Sequence, residues 1–416
     1  MRQSAPSRWW TAGLMLGLVT LLSACAGAGS GGGTGAGSGT GAGSGTGSAT
    51  ATTTASAATA TPVPAPPHAF AWFQIDSHHV PQIWASINGA APSQITHVAP
   101  DGSECTDQVA WSPPVFSPDL KHIVASMGSF RCGDGDMTGP VSIITVSSGS
   151  ISTLSDTYQV RTTERSTGWL NNSTIWFVTY SGVYTRAIGG GSPTHLSGPT
   201  NIWDALVRGS TLYWQTAASS STGWTFSIHR YDLSSHAALA GSIAQGKVGG
   251  CECSPGDLRG PGWDVSHDGS HIVYQVVSPA AGPDGGVASS KLYYAHADGS
   301  GATHIAQAMI AKSTAAMQFS PDGQWVAITE ATPSPTTLTA SVTSSGGSGD
   351  PTFHGYSPDT FDYPVWKWDG SQFWAATRPA GDALGSSSGG LERFNRGGSG
   401  AMGVAHGYNP WYTIGS

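Results

Sequence analysis

From residue 69 to the C-terminus, apolar positions fall in short runs of about four to eight residues, each broken by Gly, Pro, Asn, Asp or Ser. Residues 317–330, MQFSPDGQWVAITE, give the clearest case. An apolar strand runs into Ser-Pro-Asp-Gly, where Pro presets its own φ and Gly accepts a positive one, and a second apolar strand follows. The pattern recurs at 115–126 (VFSPDLKHIVAS) and 263–275 (WDVSHDGSHIVYQ), and more loosely at 169–179, 206–216 and 365–377. A third strand, a Gly-rich polar turn and a short fourth strand follow, as in 182–198 and 291–307.

Second strands therefore centre near residues 72, 123, 175, 212, 272, 326 and 373, at a spacing of roughly 37–60 residues. Four strands per unit at that period predict an all-β fold, a β-propeller of about seven four-stranded blades. Six or eight blades also fit, because the copies at 169 and 206 are degenerate. The first unit, AFAWFQI at 69–75 with 82–98, lacks a first strand, and the last residues, HGYNPWYTIGS, look like it. The C-terminal strand is thus expected to close the first blade, removing a sheet edge. The Ser-Pro-Asp-Gly turns resemble the WD40-like repeats of TolB-type propellers, most closely in three units. The chain departs from TolB in lacking the α/β domain before that propeller. The resemblance implies the fold and a tendency to bind other proteins.

The N-terminus follows a different grammar. Arg2 and Arg8 flank a positive start, Trp9 to Leu22 is uncharged and mostly apolar, and L-S-A-C ends at Cys25. The apolar core is short for a spanning helix, which needs about 20 residues. L-S-A-C resembles the lipobox of bacterial lipoproteins, which implies a signal peptide at 1–24 and a lipidated Cys25. Residues 26–61 are almost pure Gly, Ala, Ser and Thr, and PVPAPP follows at 62–67. Residues 25–67 read as a flexible tether with an r.m.s. reach of about 30–35 Å, and 68–416 as the propeller domain. The expected address is extracytoplasmic, at the cell surface or in the periplasm, with the membrane met through the lipid anchor only.

Composition narrows the function. Only 10% of residues are charged, the net charge is −8, and no Lys/Arg run stands out, which disfavours nucleic acid as a partner. Connections between second and third strands are long at 127–140, 217–223, 278–290, 330–337 and 378–390, as are those between units at 99–113 and 240–262. These emerge on one propeller face, and insertions gathered there mark a binding surface. Glu104, Arg131, Asp134, Asp136, Glu252, Asp257 and Asp284 are its candidate contact residues. Four cysteines share the face. Cys105 and Cys132 are expected to pair in an oxidising compartment, whereas Cys251 and Cys253 form either a tight local disulfide or a free pair. A four-thiolate zinc site would need loops of distant blades to meet and is disfavoured.

Other fragments yield to plainer readings. Asp134 and Asp136 could begin a calcium loop, but no bidentate Glu follows at the required distance. His78 and His79 suit a solvated loop, and His267 and His271 flank a repeat turn. Trp169, Trp203, Trp263, Trp366 and Trp411 track the repeat, which favours packing between blades over a sugar-stacking platform. No G-x-S-x-G elbow occurs. The sequence thus favours a monomeric, non-catalytic scaffold without a cofactor, binding an envelope or extracellular protein or peptide. The alternatives are a metal-assisted hydrolase or lactonase at the central channel and a carbohydrate-binding propeller. Replacing Cys25 by Ser should release the protein from membranes in a cell-fractionation assay; unchanged membrane association would refute lipidation at this residue.

Overall fold

The computed structural model describes residues 68–78, 80–99, 109–129, 138–154, 158–161, 165–179, 181–249, 260–280, 287–305, 315–330, 337–341, 364–367, 369–377, 389–396, 401–408 and 414–415. Among them every regular element is a strand, and no helix is long and apolar enough to cross a membrane.

The Ser-X-Asp-Gly turns explain why the hairpins form. In each clear copy the Ser hydroxyl donates to the Asp carboxylate two residues on: Ser117 to Asp119 (2.7 Å), Ser266 to Asp268 (2.5 Å) and Ser320 to Asp322 (2.5 Å). The same hydroxyl oxygen accepts the backbone N–H that opens the second strand, from His122, His271 and Trp325, each at 3.0 Å. The carboxylate also accepts an N–H at 3.0–3.2 Å from Lys121, Ser270 or Gln324. The residue after Asp is left-handed, at φ 71 for Gly269 and 67 for Gly323. Leu120 takes that place at φ 58, a conformation costing a branched residue about 1 kcal/mol, while its side chain packs on the neighbouring core.

The strands assemble into six sheets among the described residues. The first orders Ser93–Gln94, Pro81–Ile87, Ala69–Ile75 and Ile414–Gly415, so the C-terminal strand pairs with Ala71 and Trp72. The second is built around His122–Ser129 and Thr138–Thr145, and the third runs from Thr167–Asn171 to Thr194–Leu196. The fourth has nine strands. Two antiparallel groups, Ile202–Val248 and Trp263–His304, meet in it through one parallel bridge, Gly246 to Val277. Gly246 permits that approach, since a Cβ there would lie 2.0 Å from the Val277 carbonyl oxygen. Sheets at 315–341 and 365–408 complete the set.

Second strands are buried on both faces. Thr174–Thr179 has five buried residues of six, because apolar clusters cover each side of its sheet. The clusters run from sheet to sheet: Val124 and Ile143 meet Phe177; Trp176 meets Leu212 and Tyr231; Leu206 and Tyr213 meet Trp263 and Ile272. Val273 and Leu292 then meet Phe319, and Ala327 meets Phe373. The first sheet packs on the second through Phe116 and Ile123 and on the last through Val365 and Trp374, with Phe70 stacked on Trp374 at 4.3 Å.

Segments read as connections contain strand residues instead. Residues 217–220 and 223 extend a hairpin whose register runs to Ser220 and Gly223, because unpaired backbone groups cost more than a polar side-chain pattern signals. Ile243–Val248 supplies a strand inside 240–262, and Val109–Trp111 one inside 99–113. His406–Tyr408, read as the start of the closing strand, belong instead to the strand Ala401–Tyr408 of the last sheet.

These turns make a pH-dependent contribution. Hydrogen bonds from the Ser266 hydroxyl, then from the Ser270 hydroxyl and backbone N–H, lower the Asp268 pKa from 3.8 to about 2. Its stabilisation is present above pH 3.8 and lost as pH falls toward 2. Asp268→Asn should flatten the acid limb of stability between those values. Ser266→Ala, which orphans the His271 N–H, should cost about 1–3 kcal/mol in chemical denaturation at neutral pH.

Candidate functional site

The first strands of successive sheets converge on a cavity of about 260 Å³. Val115 and Phe116 reach it from the second sheet, Thr167 to Trp169 from the third, Ala205 to Arg208 and Asp264 from the fourth, and Met317 and Gln318 from the fifth. The wall is mostly apolar, and its ionic groups are Arg165, Arg208 and Asp264, with Asp204 behind them.

Each charged side chain is placed by its local backbone. Asp204 sits at a register shift in the pairing of Ile202–Arg208, where a bulge re-aims a side chain. Asp264 lies at the centre of the short strand Trp263–Val265. Arg165 precedes the strand Thr167–Asn171 and locks to its neighbour twice through the backbone. Its N–H donates to Asp204 Oδ1 at 3.0 Å, and its carbonyl accepts the Ala205 N–H at 2.9 Å.

The Arg165 guanidinium ties three strands together. Nε donates to both Asp204 oxygens (3.1 and 3.2 Å), and Nη2 to Asp204 Oδ2 (2.5 Å) and the Trp263 carbonyl (3.0 Å). Nη1 donates to Asp264 Oδ1 at 3.1 Å, and the group lies 4.4 Å from the Trp263 ring centre. Asp264 Oδ2 accepts the Phe319 N–H at 2.7 Å, carrying the chain of contacts to a fourth strand. Both carboxylates are buried, at 2% and 1% exposure. Arg208 donates Nε to the Val265 carbonyl at 3.0 Å, and its Nη2 lies 3.6 Å from Asp264 Oδ1. Desolvation pushes the Arg208 pKa down, Asp264 opposes that shift and Arg165 adds to it, although 22% of the side chain meets solvent. Desolvation, with Arg208 nearby, also lowers the His267 pKa; this imidazole belongs to an exposed turn, as its place in the repeat implied.

All residues assigned to the long-loop face fall outside the described residues: Glu104, Cys105, Arg131, Cys132, Asp134, Asp136, Cys251, Glu252, Cys253, Asp257 and Asp284, as does Cys25. Among the described residues no three His, Cys, Asp or Glu side chains gather where a metal ion could bind. Trp203, Trp263 and Trp366 are buried at 5%, 1% and 6% exposure, so their rings offer no face for a sugar. Trp169 and Trp366 instead donate their indole N–H groups to carbonyls of the preceding sheet, Val115 and Gln318, each at 2.8 Å. Trp411 lies outside the described residues. Sequence reasoning missed the Arg165 cluster, yet it carried a signal. Trp203-Asp204 and Trp263-Asp264 each place an acid inside an apolar first strand.

No protein-family model matches this sequence, and no curated protein does. Solved structures do. A periplasmic gluconolactonase from Pseudomonas aeruginosa is similar over 83% of this chain and 98% of its own, with a TM-score of 0.50 and 12% identity. A protein of Bacteroides fragilis named for 6-phosphogluconolactonase aligns over 84% and 97% at TM-score 0.47 and 10% identity. A TolB of Agrobacterium tumefaciens aligns over 83% and 91% at 0.38 and 12%. The likeness to the Pseudomonas structure concerns the fold, an all-β, propeller-like arrangement.

Removing Arg165 tests whether the cluster holds the inner strands. Arg165→Met strands two buried carboxylates and should cost about 3–5 kcal/mol in chemical denaturation followed by Trp fluorescence. Adding Asp204→Asn should recover part of that loss. A single variant within about 1 kcal/mol of the parent would contradict the account.

Proposed function

We propose that this protein is a lipid-anchored, extracytoplasmic propeller that binds an envelope protein or peptide through its long-loop face and performs no chemistry of its own. In this reading the nine-stranded sheet counts as two blades, giving seven, and the pairing of Ile414–Gly415 with Ala69–Ile75 joins the two ends of the ring. Support comes from the run of sheet-to-sheet clusters, in which the first sheet also packs on the last. The leader and lipobox-like L-S-A-C support the address, and the similar Pseudomonas protein is itself periplasmic.

One observation favours binding over catalysis. The carboxylates at the cavity are already engaged: Asp204 by Arg165, and Asp264 by Arg165 and the Phe319 N–H. A metal-assisted lactonase needs carboxylates free to ligate a cation or activate water, and here both would first have to leave strong partners.

Two measurements test the proposal on the full chain. Hydrolysis of gluconolactone should proceed at the buffer rate with and without added calcium or zinc; saturable turnover, lost in Asp264→Asn, would establish the enzyme instead. Purification from native membranes should retain an envelope partner in fixed stoichiometry. Arg131→Glu with Asp284→Lys should release it without altering the melting temperature, and retention undiminished by that pair would rule out the face.

A further inference from the structure

The two arginines of the cavity differ in how fully they are satisfied. Arg165 spends its guanidinium on Asp204, Asp264 and the Trp263 carbonyl and lies over an indole. Arg208 does not. Its Nε meets the Val265 carbonyl, and its Nη1 reaches only the carbonyl of adjacent Val207, at 3.3 Å. Its Nη2 stands 3.6 Å from Asp264 Oδ1, beyond hydrogen-bond length, and that oxygen already accepts from Arg165. A guanidinium has five donors. Two bonds from Arg208 among the described residues leave three N–H groups open (five less two).

The charge balance points the same way. Asp204 is taken up by Arg165, so among the described residues the one carboxylate facing Arg208 is Asp264, shared with Arg165 and a backbone N–H. Desolvation weighs on the Arg208 cation, and Arg165 adds repulsion. A partly buried cation with open, forked donors is matched by a carboxylate, which accepts two parallel hydrogen bonds from it. Apart from Arg165, Asp264, Thr167 and Gln318, the rest of the wall is apolar and aromatic, with Phe116, Trp169, Leu206 and Met317.

We infer that this cavity binds a small apolar carboxylate, its carboxyl group paired with Arg208 and its hydrocarbon or aromatic body against Phe116, Trp169 and Met317. The site stands on the cavity's own geometry and is independent of the long-loop face. At about 260 Å³ the cavity lies below the usual range for drug-sized ligands, so the occupant has on the order of ten non-hydrogen atoms. A free acid and the C-terminal residue of a peptide offer the same chemistry.

Titration of the full chain with 3-phenylpropanoate, its neutral amide and N-acetylphenylalanine, read by calorimetry and by Trp fluorescence, tests the inference. One acid should bind per chain at least tenfold more tightly than the amide. A preference for N-acetylphenylalanine would identify a chain end as the source, and a preference for phenylpropanoate a free acid. Arg208→Gln should reduce acid binding to the level of the amide, and Arg208→Lys should restore part of it. Val115→Phe, which fills the cavity and leaves Arg208 in place, should weaken the acid as well, and it locates the site even where Arg208→Gln fails to fold. Equal binding of acid and amide, no binding of either, or undiminished acid binding by Val115→Phe or by an Arg208→Gln protein that melts like the parent would overturn the proposal.

Discussion

Strands such as Thr174–Thr179 are apolar toward both sides, so neither face of their sheet can be left to water. Burying a side chain such as Phe177 contributes about 1.5–3 kcal/mol, and each sheet holds several of similar size. The chain meets this demand by laying each sheet against the next, and the first also against the last through Trp374. Twisted sheets stacked in this way converge at their first strands, where side chains from several sheets compete for one space. The cavity and its ionic cluster follow from that crowding.

Ionic groups in such a place gain little by being ionic. A buried pair roughly offsets its own desolvation, and an apolar filling of equal volume would stabilise as well or better. What the Arg165 cluster supplies is register. One guanidinium meets Asp204 on one strand and Asp264 with the Trp263 carbonyl on another, and Asp264 hands the contact on to Phe319. Apolar contacts tolerate a sliding strand; forked hydrogen bonds at 2.5–3.2 Å do not. The cluster thus fixes how far each inner strand is pushed along its neighbours, and with that the shape of the cavity wall.

The fold was legible because its signals are local. The turn at Ser320-Pro-Asp-Gly is decided within six residues, by a hydroxyl, a carboxylate and one left-handed position. All six hairpins read from the sequence pair as expected. Edges were less legible. Ala217 to Ser220 carry no apolar alternation and still pair, because the ladder is paid in backbone groups that the side-chain pattern does not report. The site was least legible, since one contact within it, Arg165 to Asp264, already spans 99 residues of sequence. Trp203-Asp204 and Trp263-Asp264 were readable as misplaced acids; Arg165, outside any repeat motif, was not. The burial of Trp203, Trp263 and Trp366 bore out the packing reading for these three tryptophans.

That series also shows how a repeat fold makes room for a site. Near the start of the inner strand, Trp169 and Trp366 latch their sheet to the preceding one by donating an indole N–H to a carbonyl. Trp263 stands in a similar place and instead lends its ring to a guanidinium. The aromatic residue satisfies the packing demand in all three sheets, since only its bulk is needed there, and its polar edge or π-face is then free to take a different partner in each. Asp204, Asp264 and the ring and carbonyl of Trp263 together occupy the Arg165 guanidinium. Arg208, on the strand that carries Asp204, faces Asp264 as its one carboxylate among the described residues, and Asp264 is already shared. The asymmetry between the two cations is therefore a consequence of where one tryptophan of the repeat found its partner.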